Sequence, residues 1–140
     1  MKLTTEIEFD IRFSETDAMG VVWHGNYLKY FEDGREAFGK KFGMQYLDIY
    51  ANGYFTPIVK SSINHKSPIY YGQRAKIITT MIPSKAAKII FGYEIINLTT
   101  NKISAVGSTM QVFLIKESNE MDLNIPGFYL EWEAKLGIEK

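Results

Sequence analysis

Phe13-Ser14-Glu15-Thr16-Asp17-Ala18-Met19-Gly20-Val21-Val22-Trp23-His24-Gly25-Asn26-Tyr27 is the stretch on which the reading of this chain turns. Before it, residues 5–14 alternate: Ile7, Phe9, Ile11 and Phe13 against Glu6, Glu8, Asp10 and Arg12. That period of two predicts a half-buried strand. The Ser14–Gly20 segment is rich in turn formers. From Asn26 the period lengthens, and Tyr27, Tyr30, Phe31, Gly34, Phe38, Lys41 and Phe42 fall on one helical stripe, widened by Leu28 and Ala37. Asn26 is the expected N-cap region and Gly43 the expected stop. The quoted stretch is therefore a strand-to-helix turn, and Gly34 and Gly39 within the helix predict a close neighbour, since each costs about 1 kcal/mol relative to Ala.

Downstream, after a short helix or loop at Met44–Gly53, the patterns are of β type. Ile58, Val59 and Ile63 lie in one strand ending near Ser67–Pro68. Ala75, Ile77, Thr79 and Met81 alternate in the next, and Ile89, Phe91, Tyr93 and Ile95 in the one after. In Ile103–Ile115 the expected common face is Val106, Met110, Val112 and Leu114. Pro83–Ala87 and Asn97–Lys102 read as hairpin loops. Pro126–Gly137 reads as a short terminal helix. One long helix against one curved antiparallel sheet of about five strands is an α+β arrangement. No repeat or linker divides residues 1–140, so a single domain is expected. Open edge strands predict a dimer.

Composition narrows the chemistry. Sixteen basic residues balance sixteen acidic ones, so the basic field that nucleic-acid binding uses is missing. With no cysteine, disulfides and thiolate catalysis are excluded. The start lacks a basic, then apolar, leader pattern. No stretch reaches the roughly 20 apolar residues of a membrane helix. The expectation is a cytoplasmic protein without membrane insertion. His24 and His65, the two histidines, are far apart in sequence, so no metal site is expected. Neither a phosphate-binding glycine loop nor a Gly-x-Ser-x-Gly elbow is present.

Asp17 thus stands in a turn just ahead of a helix, and His24 at that helix's opening. On residue type alone, Asp17 reads first as an Asx-turn or capping residue, and His24 as a structural histidine. The second reading is chemical. Unpaired N–H donors at a helix start polarise a carbonyl gaining negative charge. A nearby carboxylate attacks the carbon or activates water. Together these are sufficient to hydrolyse an activated acyl group.

The pattern Glu15-Thr16-Asp17-x-x-Gly20-Val21-Val22-x-His24-x-Asn26-Tyr27, continuing as Tyr30-Phe31-Glu32-x-x-Arg35-Glu36, resembles the signature of hotdog-fold acyl-CoA thioesterases. The nearest branches are the 4-hydroxybenzoyl-CoA thioesterase type and the thioesterases associated with the Tol–Pal system. Thr56-Pro57-Ile58-Val59, Ser67-Pro68-x-x-x-Gly72, Phe91-x-Tyr93-Glu94-Ile95 and Ala105-x-Gly107-x-Thr109 extend the resemblance over residues 5–116. It implies a hotdog fold, an acyl-CoA substrate with no separate cofactor, Asp17 as catalytic carboxylate, and the His24 backbone N–H as carbonyl donor. It also implies a role for the His24 side chain. The Tol–Pal branch has a Tyr where this chain has Phe13, so that hydroxyl is missing. Rim lysines for the CoA phosphates are implied, with Lys85 and Lys88 first and Lys60 and Lys66 behind them. A homodimer or homotetramer is implied too. The competing expectations are a carrier-protein thioesterase and a non-catalytic acyl-binding module. A hydratase fits the Asp17-to-His24 spacing less well.

Overall fold

The computed structural model describes residues 3–140; Met1 and Lys2 lie outside the described residues. Alternation gives strand β1 at Thr4–Asp10, which pairs antiparallel with β4 at Arg74–Ile82. The strand stops earlier than the alternation does. Ile11 is buried just beyond it, but Phe13 enters a single 3-10 turn, Phe13–Glu15, and is 72% exposed. Phe13 therefore does not belong to the inward row that the sequence pattern assigned it.

Helix α1 spans Asn26–Phe42 and buries Tyr27, Tyr30, Phe31, Gly34 and Phe38. Lys41, placed on this stripe by spacing, instead stays exposed and reaches the Thr4 carbonyl at 3.0 Å. Gly34 answers the expectation of a close neighbour: a Cβ there would lie 2.2 Å from Thr79 Oγ1 of β4. The helix can only seat this low on the sheet with no side chain at that position.

Short helix α2, Tyr46–Ala51, follows. Then come β2 (Tyr54–Phe55), β3 (Ile58–His65), β4, β5 (Lys88–Asn97), β6 (Lys102–Val112) and β7 (Leu114–Ile115). The main sheet has the order β1-β4-β5-β6-β3, with every neighbour antiparallel. β2 and β7 form a separate two-stranded ribbon that the sequence pattern did not mark. Helix α3, Gly127–Lys135, begins after Pro126 and packs Tyr129 and Trp132 into the core. Its Trp132 Nε1 donates to the Phe42 carbonyl at 2.7 Å, fastening the chain's end to the end of α1. This is the hotdog architecture: one long helix lying along a curved antiparallel sheet.

Val106, Met110 and Val112 of β6 share one face, as the spacing predicted, and the structure decides which side of the sheet that face is on. Ile95, Tyr93, Phe91 and Ile89 of β5 stand opposite Ala105, Gly107, Thr109 and Gln111. Opposed residues of an antiparallel pair share a face, so these small and polar residues form the row under α1. Val106, Met110 and Val112 lie on the other side. Small and polar residues suffice under α1 because aromatic rings fill that space from elsewhere. Phe31 stacks on Tyr93 with centroids 4.1 Å apart and planes 6° apart, over Gly107. Beneath, Tyr93 Oη and Thr109 Oγ1 are 2.6 Å apart, and Arg35 Nη1 donates to Tyr93 Oη at 3.0 Å. Burial pushes the Tyr93 hydroxyl pKa up, so it remains a neutral donor and acceptor in this chain of bonds.

β3 is the edge of the sheet. Its seven residues other than Ile63 are exposed, and its outer side has no strand partner among the described residues.

Candidate active site

The loop carrying Asp17 folds on itself through backbone bonds. The Asp17 N–H donates to the Val21 carbonyl at 2.8 Å, and the Gly20 N–H to the Asp17 carbonyl at 3.0 Å. Its carboxylate Oδ1 accepts from the Met19 N–H at 2.8 Å and the Val21 N–H at 3.2 Å. That is an Asx turn, so the structural reading of Asp17 is realised. It uses one oxygen only. Oδ2 has no hydrogen-bond partner among the described residues, and the side chain is exposed. The structural and chemical readings are compatible, because the turn that fixes one oxygen aims the other outward.

Further bonds fix this loop within itself and to the helix and sheet. The Glu15 carbonyl accepts from Asn26 Nδ2 at 2.7 Å and from the Trp23 N–H at 2.9 Å. The Val22 N–H donates to Ile69 at 2.8 Å. Asn26 is buried and sits in the first turn of α1, while Gly25 is the N-cap and makes no side-chain cap bond. Asn26 is therefore a clamp rather than the expected cap. Its amide sets the spacing between the Asp17 loop and the helix start.

Two backbone donors at the helix start stay open. The Asn26 and Tyr27 N–H groups turn back to the Trp23 and His24 carbonyls. The N–H groups of His24 and Gly25 have no acceptor among the described residues. Two open amides at the positive end of a 17-residue helix suit a carbonyl oxygen that gains negative charge.

The His24 side chain is exposed, with its ring 4.9 Å from Trp23 and 6.4 Å from His65. The sequence reading set the two histidines apart because 40 residues separate them. The register of β3 against β6 brings His65, opposite Ala105, to the start of α1. His65 is the site residue that sequence reasoning missed; its one signal was that the chain has only two histidines. Among the described residues no group of three or more His, Asp or Glu could hold a metal ion.

The four lysines do not gather around Asp17 within one protomer. Lys66 directly follows His65 and lies at the Asp17 end. Lys60, opposite Met110, and Lys88, opposite Val112, point to the face away from α1 near the other end of the sheet. Lys85 is in the neighbouring β4–β5 loop.

That other end holds a cavity of about 530 Å³ between α1, α2, α3 and the sheet. Phe38, Ile49, Ile89, Phe91, Tyr129 and Trp132 make it largely apolar, with Arg35 and Gln111 on its wall and Ile58 of β3 at its side. Ile58 and His65 are opposite ends of one strand, about 24 Å apart at ~3.4 Å per residue.

The model of the thioesterase-like superfamily matches residues 11–132. This chain belongs to that superfamily. The match runs past residue 116, where the motif resemblance stopped, and takes in most of α3. Over 111 residues the chain is 35% identical to a protein of Bacillus subtilis (strain 168) named "Putative acyl-CoA thioesterase YneP", covering 79% of this chain and 80% of that one. Among solved structures, the DHNA-CoA thioesterase of Staphylococcus aureus superposes with a TM-score of 0.81 at 28% identity, over 97% of this chain and 91% of the other. Slr0204 of Synechocystis, a 1,4-dihydroxy-2-naphthoyl-CoA thioesterase, gives 0.83 at 20% identity over 97% and 99%, a likeness of fold.

Proposed function

We infer that this protein is an acyl-CoA thioesterase, hydrolysing an acyl-CoA thioester to the free acid and CoA. The observation that carries the reading is the placement of Asp17. A carboxylate with one oxygen held by two amides and the other open stands beside a helix start with two free N–H groups.

In the proposed reaction the thioester carbonyl oxygen docks against the N–H groups of His24 and Gly25. Asp17 then either takes a proton from the water that attacks the carbonyl carbon, or attacks that carbon itself to form a mixed anhydride that water cleaves to the free acid once CoA has left. The carbon–sulfur bond breaks and CoA leaves as a thiolate. An ordinary thiol pKa of about 8.5 makes that departure easy, so little acid assistance is needed. His24 orders the water or orients Asp17.

The assembly we propose is a dimer formed along the open edge of β3. If two copies of β3 pair antiparallel, Ile58 of one lies beside His65 of the other. The apolar cavity of one protomer then approaches Asp17 and His24 of its partner. This arrangement supplies an apolar site that, within a single protomer, lies at the other end of β3 from His65. Lys66 from the Asp17 side, with Lys85 and Lys88 on the far end, are the proposed phosphate contacts. No helix among the described residues is long and apolar enough to cross a membrane, and the proposed setting is the cytoplasm.

The test is a panel of short, long and aromatic acyl-CoAs, with acyl carrier protein thioesters alongside, followed by release of free thiol. Turnover of at least one CoA thioester that is lost in Asp17→Asn supports the reading. Turnover of carrier-protein thioesters alone would replace it, and turnover of none would make the protein an acyl-binding module.

A further inference from the structure

We propose that His65 is a positioning residue for His24, holding its imidazole by ring packing. The proposal rests on the side-chain role for His24 given above. Four ring contacts run in a row from the core to the site. Tyr30 and Tyr27 meet edge-on at 5.9 Å and 84°. Tyr27 meets His65 at 4.9 Å and 63°. His65 meets His24 at 6.4 Å and 84°, and His24 meets Trp23 at 4.9 Å and 47°. Tyr27 and Tyr30 are buried, whereas the His24 ring is exposed.

An exposed imidazole with no hydrogen bond would sample several rotamers. Neither histidine side chain has a hydrogen-bond partner among the described residues, so ring packing is what restrains them. Edge-to-face contacts are attractive and directional. The anchor is firm on the His65 side: its backbone is paired with Ala105, and the next N–H, of Lys66, donates to the Ser104 carbonyl at 2.8 Å. The anchor on the opposite side is Trp23. Its indole lies over Gly25, where a Cβ would sit 2.1 Å from the ring. Gly25 thus gives Trp23 its seat. His24 is gripped between two rings, with its nitrogens free for water or substrate.

The test uses His65→Ala, which removes the ring, and His65→Phe, which keeps it without nitrogens. Either variant leaves His24 as the only histidine, so its imidazole signals can be followed alone by ¹H–¹⁵N NMR. For His65→Ala we expect kcat to fall about tenfold, in line with the penalty for a loosened catalytic group, with KM changed less than twofold. The His24 signals should move toward those of a free side chain. His65→Phe should recover most of kcat and a restrained His24. Adding His65→Ala to His24→Ala should cause no further loss, because both act through one ring. The proposal is overturned if His65→Phe is as impaired as His65→Ala, or if His65→Ala leaves both kcat and the His24 signals unchanged. Loss of activity in the double variant beyond that of His24→Ala also overturns it, since His65 would then act on its own. A silent His24→Ala variant sinks the His24 role itself. The NMR readout separates that failure from this one, because the restraint on His24 is measured without turnover.

Discussion

The two ends of α1 are built on different principles. At its start, polar groups are fixed and left open: Asp17 Oδ2, the His24 and Gly25 amides and two exposed imidazoles. They are held by backbone bonds, one Asn26 clamp and ring packing. Toward its end the helix closes over apolar side chains, with Phe38 edge-on to Phe91 at 4.9 Å, and α3 covers the cavity. The difference separates labour along one helix. The start carries the open polar groups on the buried Asn26, Tyr27 and Tyr30, while the far end borders the apolar cavity. β3 runs past both ends, and its free edge offers a way for one protomer's start to meet another's far end.

The sharpest break of this picture is Asp17→Asn. The amide oxygen retains both bonds from Met19 and Val21, so the turn and the melting temperature should be preserved. The rate should fall about a thousandfold, which is roughly 4 kcal/mol in the barrier. A melting temperature that drops with the rate would show that Asp17 is only a turn residue. Next comes Val59→Lys on the edge of β3, where Val59 is 55% exposed. A lysine there opposes strand pairing. We expect a folded monomer by light scattering and circular dichroism, with at least a tenfold loss of turnover, about 1.4 kcal/mol. A fully active monomer would remove the need for a partner.

A smaller effect belongs to the far end. Ile89→Val takes one methylene from the cavity wall and should lower stability by about 0.5–1.5 kcal/mol. It should shift preference toward bulkier acyl groups while leaving the rate on small ones unaltered, as competition between two acyl-CoAs would show. An unchanged preference would argue that the cavity is structural.

The smallest effect concerns Asp33, on the outer side of α1. Desolvation, then the charges of Glu36 and Glu15, raise its pKa above 3.8, against an opposing pull from Arg12. The folded state therefore holds this proton more tightly than the unfolded chain. Stability is lost as pH rises from the unfolded value through the folded one. Asp33→Asn should melt slightly higher than the parent at neutral pH, and the two curves should converge below about pH 3.8. A gain that persisted at acid pH would have a cause other than charge.

Much of the fold was legible because its signals are local. Alternation marked β1, β4 and β5, and the 3.6 period marked α1 and its Gly43 stop. The rest shares a cause. Phe13 kept the alternation but met no sheet partner, and the apolar face of β6 lies away from α1 because Phe31 and Tyr93 fill the space above Gly107 and Thr109. Both depend on what lies across from a residue, which periodicity does not carry. The β2–β7 ribbon is two residues long on each side, too short for any period to register.

The sequence alone placed Asp17 seven residues before His24 at a helix opening, since a strand, a turn and a helix in succession are set by local residue preferences. It also excluded cysteine chemistry by composition. Tertiary structure decided the rest. It turned Asn26 into a clamp, left two amides open beside Asp17, brought His65 across 40 residues to His24, and put the cavity and three of the four lysines at the other end of the sheet. Those outcomes follow from strand register and helix docking, which join residues distant in the chain, and no local pattern encodes them.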